Sequence, residues 1–132
     1  MTGQSASCTC GQLRATATGD PVRVSICHCL ACKKRTGSAF SVQARWPAEQ
    51  VRIEGRSHLF TRIADSGNPA DFHRCPTCGD TVHYSTMNLP GMIAIPLGAM
   101  ENPFFTDPKI SIYEERKQPW VEILGDGVEH ID

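Results

Sequence analysis

A chain of 132 residues, 40% hydrophobic and 20% charged, is long enough for one modest core and too apolar for a disordered segment. Its net charge of −1 gives no global attraction to nucleic acid or to an anionic membrane, and no apolar run approaches the ~18 residues of a membrane span. Residues 1–132 therefore read as one domain with neither a nucleic-acid nor a membrane partner.

Met1 to Ser7 carries neither a basic start nor an apolar stretch, so it does not read as a secretory signal, and the reducing cytoplasm is the expected compartment. Next comes Cys8-Thr-Cys10-Gly11, where two side chains two residues apart share a face and Gly11 permits a bend. Strands are predicted over Gln12 to Thr18 and Val22 to Ile26, separated by the turn Gly19-Asp20-Pro21. After Cys27-His-Cys29-Leu-Ala-Cys32, the stretch Leu30 to Thr36 suits a short helix. Ala39 to Trp46 is the clearest strand, with Phe40, Val42, Ala44 and Trp46 on one face, Ser41, Gln43 and Arg45 on the other, and Pro47 ending it. Further strands are predicted over Val51 to Ile53, His58 to Ile63, Thr81 to Ser85, Met92 to Pro96 and Lys109 to Glu114, with a helical turn at Gly98 to Asn102. Gly55, Ser66-Gly67-Asn68-Pro69, Pro90-Gly91 and Gly125-Asp126-Gly127 punctuate them as turns. The fold class is mainly β with little helix.

Seven cysteines fall in three tight clusters, the third being Cys75-Pro-Thr-Cys78-Gly79. In a reducing compartment such spacing is metal-ligand arithmetic, and zinc is the metal it fits best. Zinc holds thiolate sulfurs at about 2.3 Å in a tetrahedron, so neighbouring sulfurs sit roughly 4 Å apart and sequence-local ligands must converge from a turn. Cys75 to Gly79 is a zinc-knuckle sequence whose glycine accepts the backbone angles that follow. Cys27, Cys29 and Cys32 lie within six residues, so closing them on one ion costs little loop entropy, whereas splitting them needs two long closures. Cys8, Cys10, Cys75 and Cys78 then complete a four-thiolate site that is structural, tying the amino-terminal hairpin to the middle of the chain.

Three thiolates on the other ion either recruit a fourth protein ligand or leave a position for water or substrate. His28, His73 and His83 are the candidates for a fourth ligand, although His28, between two ligands, is expected to point away from the ion they share. The run Lys33-Lys34-Arg35-Thr36 is either a solvated basic face or the holder of a thiol substrate's carboxylates. Arg62, Arg74 and Glu54 show no pattern beyond surface chemistry. Trp46, Phe60, Phe104, Phe105 and Trp120 are expected in the core, with pocket lining the alternative.

The segments Cys8 to Gly11, Cys27 to Phe40 (CHCLACKKRTGSAF) and Phe72 to Tyr84 (FHRCPTCGDTVHY), with Gly98 to Pro103 and Gln118-Pro-Trp120, resemble the glutathione-dependent formaldehyde-activating enzyme family, which includes centromere protein V. The resemblance implies a tent-like fold of packed antiparallel sheets and two zinc ions, one structural on Cys8, Cys10, Cys75 and Cys78 and one catalytic on Cys27, Cys29 and Cys32. It further implies a carbon–sulfur lyase activity written in reverse, in which glutathione and formaldehyde give S-hydroxymethylglutathione. Two other readings compete: a non-catalytic zinc module that binds a protein or a glutathione adduct, and a thiol-dependent enzyme acting on another small electrophile.

Overall fold

The computed structural model describes residues 3–64 and 66–132. Strands β1 (Gly3–Ser7) and β2 (Arg14–Thr18) form an antiparallel hairpin, and β5 (Val51–Glu54) pairs with β2 to complete a three-stranded sheet. A second sheet has eight strands in the order β11-β10-β3-β4-β9-β8-β7-β6. Its members are β3 (Arg23–Cys27), β4 (Ser41–Pro47), β6 (His58–Ile63), β7 (Pro69–Arg74), β8 (Thr81–Thr86), β9 (Met92–Pro96), β10 (Ile110–Ile112) and β11 (Glu129–His130). From β3 to β6 every pairing is antiparallel, whereas β10 lies parallel to β3 and β11 parallel to β10. Parallel neighbours need a long connection; residues 113–128 supply it between β10 and β11, while residues 97–109 carry the chain from β9 past β4 and β3 to β10.

The two sheets face each other across an apolar core. Leu13, Ala15 and Ala17 meet Val24, Ala44, Trp46, Val82 and Ile95 there, all at most 4% exposed. Alanines on the smaller sheet leave room for Trp46, whose indole N–H donates to the Gly19 carbonyl at 2.9 Å and whose ring stacks on Phe105 at 6.1 Å. Burying its ring while satisfying its polar atom makes Trp46 a strong anchor of this layer.

The alternation read in β4 sets its two faces as expected, with Ala44 and Trp46 in the core. The opposite side differs from an ordinary solvent face: Ser41, Gln43 and Arg45 are only 4%, 2% and 8% exposed. That buried polar side becomes the floor of the cavity described below. Strands β1, β7 and β11 are additions to the elements predicted from the sequence. β1 is mostly polar and buries Ala6 alone, while β7 begins at Pro69, placed within a turn by its proline, at a position where a missing N–H is tolerated. The turn expected at Gly98 to Asn102 is a single 3-10 turn over Leu97–Ala99. Among the expected core aromatics, Trp46 is buried, but Phe60, Phe104 and Trp120 are 58%, 90% and 73% exposed. Among the described residues no helix is long and apolar enough to cross a membrane.

Two candidate metal centres and an arginine-lined cavity

The loop between β1 and β2 folds back at once: Cys8 N–H donates to Leu13 O at 3.0 Å, and Gly11 N–H donates to Cys8 O at 3.0 Å with φ of 83°. The loop between β7 and β8 repeats this device, with Cys75 N–H on Asp80 O and Gly79 N–H on Cys75 O, both at 2.9 Å, and φ of 86° at Gly79. Positive φ is what a glycine permits and other residues resist. These two turns bring the sulfurs of Cys8, Cys10, Cys75 and Cys78 within 4.8 Å of one another, with Cys8 to Cys10 and Cys10 to Cys75 both at 3.6 Å. Such spacing matches a tetrahedron of sulfurs around zinc.

Donors surround these sulfurs. Leu13 N–H donates to Cys8 Sγ at 3.3 Å, Thr77 N–H to Cys75 Sγ at 3.3 Å, and the Gln12 side-chain amide to Cys75 Sγ at 3.1 Å. Burial works against ionisation of Cys75, but the Cys78 N–H, the Gln12 amide and the Thr77 N–H outweigh it and bring the thiol down to about 5. Thr9 fastens the two loops to each other, its N–H and hydroxyl both donating to Asp80 Oδ2, at 2.7 and 2.5 Å. The four cysteines thus form a clasp between the small sheet and the large one.

Cys27 ends β3, Cys29 is the N-cap of helix α1 (Leu30–Thr36), and Cys32 lies in its first turn. Cys29 Sγ accepts the Cys32 N–H at 3.3 Å, so the helix start itself orients two of the three ligands. Gly37 closes the helix in the left-handed region, its N–H on Lys33 O at 2.8 Å. All three sulfurs lie within 4.8 Å of one another and are buried. Hydrogen bonds from Cys27 and Cys29, assisted by Ser41 and the Arg35 charge, hold the Cys32 thiol far below its ordinary value, and sharing those protons pushes Cys27 far above it. The triad therefore gives up one proton readily, at Cys32, and the other two only when a cation takes their place.

Among the described residues no histidine nitrogen, carboxylate oxygen or further thiol joins this set. His28 is fully buried and points away, its Nε2 at 2.9 Å from Ser111 Oγ and its ring edge-on to Phe40. His73 and His83 stand opposite each other on β7 and β8 and stack at 4.3 Å. Burial, with His73 beside it, pushes the His83 imidazole down to about 4. These histidines pack; they do not ligate either cluster.

Register explains what surrounds the triad. Pairing places Arg23, Arg45, Ala94, Tyr84, Phe72 and Phe60 in one row across β3, β4, β9, β8, β7 and β6. Cys27 and Arg62 lie on the same face, at even spacing from Arg23 and Phe60. A cavity of about 100 Å³ opens there, bordered by the three cysteines together with Arg23, Arg35, Arg45 and Arg62. Below it Gln43 Oε1 accepts the Tyr84 hydroxyl at 2.6 Å and the Ser41 hydroxyl at 2.9 Å, while Gln43 Nε2 donates to Ser25 Oγ at 2.8 Å. Burial raises the Tyr84 hydroxyl to about 12, keeping it a donor to Gln43.

The basic run divides its labour. Lys33 donates to Arg116 O and Gln118 Oε1 at 2.5 and 2.6 Å, strapping the carboxyl-terminal segment to α1, and Lys34 is exposed. Only Arg35 of the three faces the cavity. Its companions Arg23, Arg45 and Arg62 were invisible as a group, because they come from three strands and only pairing register assembles them. Period-two alternation in β4 was the one available hint, since it put Arg45 beside Gln43 and Ser41.

Comparison with known proteins agrees with this geometry. The family model described as glutathione-dependent formaldehyde-activating enzyme matches residues 3–116. No curated protein matches the chain. Among solved structures, a Rhodobacter sphaeroides protein is similar with a TM-score of 0.58 at 18% identity, over 79% of this chain and 91% of that one, a likeness that shows a shared fold. With the family model spanning nearly the whole chain, and with both cysteine clusters assembled, the protein belongs to the glutathione-dependent formaldehyde-activating enzyme family.

Proposed function

We propose that this protein is a zinc enzyme that joins glutathione, or a closely related thiol, to formaldehyde, giving the S-hydroxymethyl adduct, and that it runs the same carbon–sulfur bond cleavage in reverse. The observation that carries the reading is the triad: Cys27, Cys29 and Cys32 converge on a cavity, and no fourth protein ligand accompanies them among the described residues. Cys8, Cys10, Cys75 and Cys78 would hold a second, structural zinc. Bound at the triad, zinc would supply a position that keeps a substrate sulfur as thiolate near neutral pH.

The remaining work falls to the chain itself. The cavity walls confine the one-carbon partner beside the sulfur, which turns a bimolecular encounter into a local one. As the sulfur bonds to the carbonyl carbon, the π pair moves to oxygen, and the surrounding guanidinium charge stabilises that oxygen until it takes a proton from water. Three thiolate ligands donate heavily to a metal, so positioning and positive potential should contribute more here than polarisation by the ion. Seven cysteines without a disulfide fit a reducing compartment such as the cytoplasm.

Exchange between free formaldehyde and its glutathione adduct, followed by NMR with the zinc-loaded protein, tests the reading. Acceleration above buffer that disappears in Cys29→Ser supports it. A protein that retains zinc and binds the adduct without accelerating exchange would instead be a binding module. Acceleration with other electrophiles but not formaldehyde would move the substrate elsewhere on the same scaffold.

A further inference from the structure

The eight-stranded sheet ends in two very different edges. β11 is two residues long and carries Glu129 and His130. β6 is six residues long, runs against β7 without a bulge, and contains neither proline nor lysine. Leu59, Phe60 and Ile63 on it are 52%, 58% and 66% exposed. The smaller sheet protects its own edges: β5 presents Arg52 and Glu54, and β1 is covered through the Ala6–Met100 bridge and the Glu101 N–H on Ser5 O at 2.8 Å. Short strands, charges and covering segments keep sheet edges from pairing with other chains. The one permanent charge on β6, Arg62, lies over the Phe72 ring at 5.0 Å, and among the described residues no segment pairs with the outer side of this strand.

Register fixes which backbone groups this edge offers. The Ala64 N–H donates to Asn68 O at 2.8 Å, so the pairs Arg62–Ala70 and Phe60–Phe72, at even spacing from it, exchange hydrogen bonds with β7. Pro69, which has no N–H to give, accordingly sits opposite Ile63 in a pair that exchanges none. Leu59, Thr61 and Ile63 therefore direct both N–H and C=O away from β7. An antiparallel copy of β6 matches these groups when odd residues face odd ones. A two-fold axis at Arg62 sets like charges opposite each other, one at Phe60 leaves Ile63 against Ser57, and axes farther out leave part of the strand unpaired. With the axis at Thr61, Leu59 meets the partner's Ile63 and Phe60 meets the partner's Arg62. We propose that the protein is a two-fold dimer joined through β6 at this register, which makes one continuous sheet of the two eight-stranded ones. The occupant is a second copy because the strand complements itself: apolar faces apolar, and guanidinium faces ring. The partner's Phe60 then flanks Arg62 on the side away from Phe72. Each chain thereby adds a wall to the other's hollow of about 350 Å³, which Phe60, Arg62 and Phe72 border beside the triad cavity.

Sedimentation velocity of the zinc-loaded protein tests the dimer, whose mass is expected at twice the 14.5 kDa of the chain at a concentration of about 100 µM. Leu59→Glu and Ile63→Lys each set an unpaired charge against an apolar side chain of the partner, and each is expected to weaken the dimer at least about tenfold. Combined in one chain, they place a carboxylate opposite an ammonium on both sides of the axis and are expected to restore it. Within one chain the two positions lie about 13 Å apart along the strand, too far to pair, so restoration reports the intermolecular register. Both side chains are exposed, and zinc content and melting temperature show that the variants are folded. A monomeric wild type at that concentration overturns the proposal. So do single variants that remain dimers as tight as the wild type, and so does a double variant that stays monomeric.

Discussion

The two cysteine clusters are built from the same ligand atoms and yet have opposite surroundings. At the clasp four sulfurs meet between two glycine-terminated turns, several N–H groups point at them, and the charged side chain that ties the loops together is an acid, Asp80. At the triad three sulfurs meet at a helix start, four arginines face the same space, and among the described residues no acid lines it. A complete tetrahedron with neutral donors has nothing left to bind; an incomplete one in a positive cavity does. The comparison teaches that ligand count separates a fastening from a site, and that the sign of the nearby charge then narrows what the site can take.

The largest effect should come from the clasp. Metal-linked folding of this type is on the order of 10 kcal/mol, comparable to the whole stability of a domain. Cys75→Ser is therefore expected to abolish the cooperative melting transition seen by circular dichroism, while Cys29→Ser keeps it. A Cys29→Ser protein that unfolds as readily would erase the distinction between the clusters. Conversely, Cys29→Ser should return formaldehyde exchange to the buffer rate and lower metal content by one ion per chain, measured by atomic emission alongside NMR.

An intermediate effect tests how the clasp is held. Gly55 has φ of 97°, and a Cβ there would overlap the Gln12 carbonyl oxygen. Gln12 is itself pinned, its amide donating to Arg56 O at 2.7 Å and accepting Arg56 N–H at 3.0 Å, with the same nitrogen directed at Cys75 Sγ. Gly55→Ala should cost about 2–3 kcal/mol, read from denaturant midpoints, and should speed chelator removal of one metal equivalent only. Loss of both equivalents at one rate would show that the two centres are coupled.

The smallest effect concerns the strand edge near the triad. Glu114 Oε2 accepts from His130 Nδ1 at 2.7 Å, tying β11 to the turn after β10. Burial opposes ionisation, but the His130 and Ser111 contacts prevail and hold this carboxyl below its ordinary value of 4.5. A depressed folded value means that the contribution is present above pH 4.5 and is lost as pH falls through the folded value. Glu114→Gln should lower stability at neutral pH by under about 1 kcal/mol and flatten that part of the acid limb, as seen in melting temperatures across pH. An unchanged acid limb would remove Glu114 from the account.

Much of this contrast was legible in the residues. Short spacing fixed which cysteines share a turn, loop entropy divided seven of them into four and three, and alternation in β4 assigned its faces. What alternation could not tell is that Ser41, Gln43 and Arg45 would be buried too, because burial of the second face depends on α1 packing near β4 and on the Tyr84 side chain, from two strands away, reaching Gln43 and Arg45. Arg62 looked like surface charge for the same reason: it lies over Phe72 of the neighbouring strand and borders the same cavity as Arg35 of the helix, and only the fold joins them. β1 escaped notice because a five-residue, largely polar segment carries little periodic signal. The parallel pairings of β10 with β3 and with β11 depend on the paths of residues 97–109 and 113–128, which no local pattern encodes.

Cadmium NMR of the cadmium-loaded protein addresses the central claim most directly, because each metal reports its own ligands. The account predicts two resonances, one unmoved by glutathione and lost with Cys75→Ser, the other shifted by glutathione and lost with Cys29→Ser. Two resonances that both ignore glutathione, or that both respond to it, would contradict a closed clasp beside an open triad.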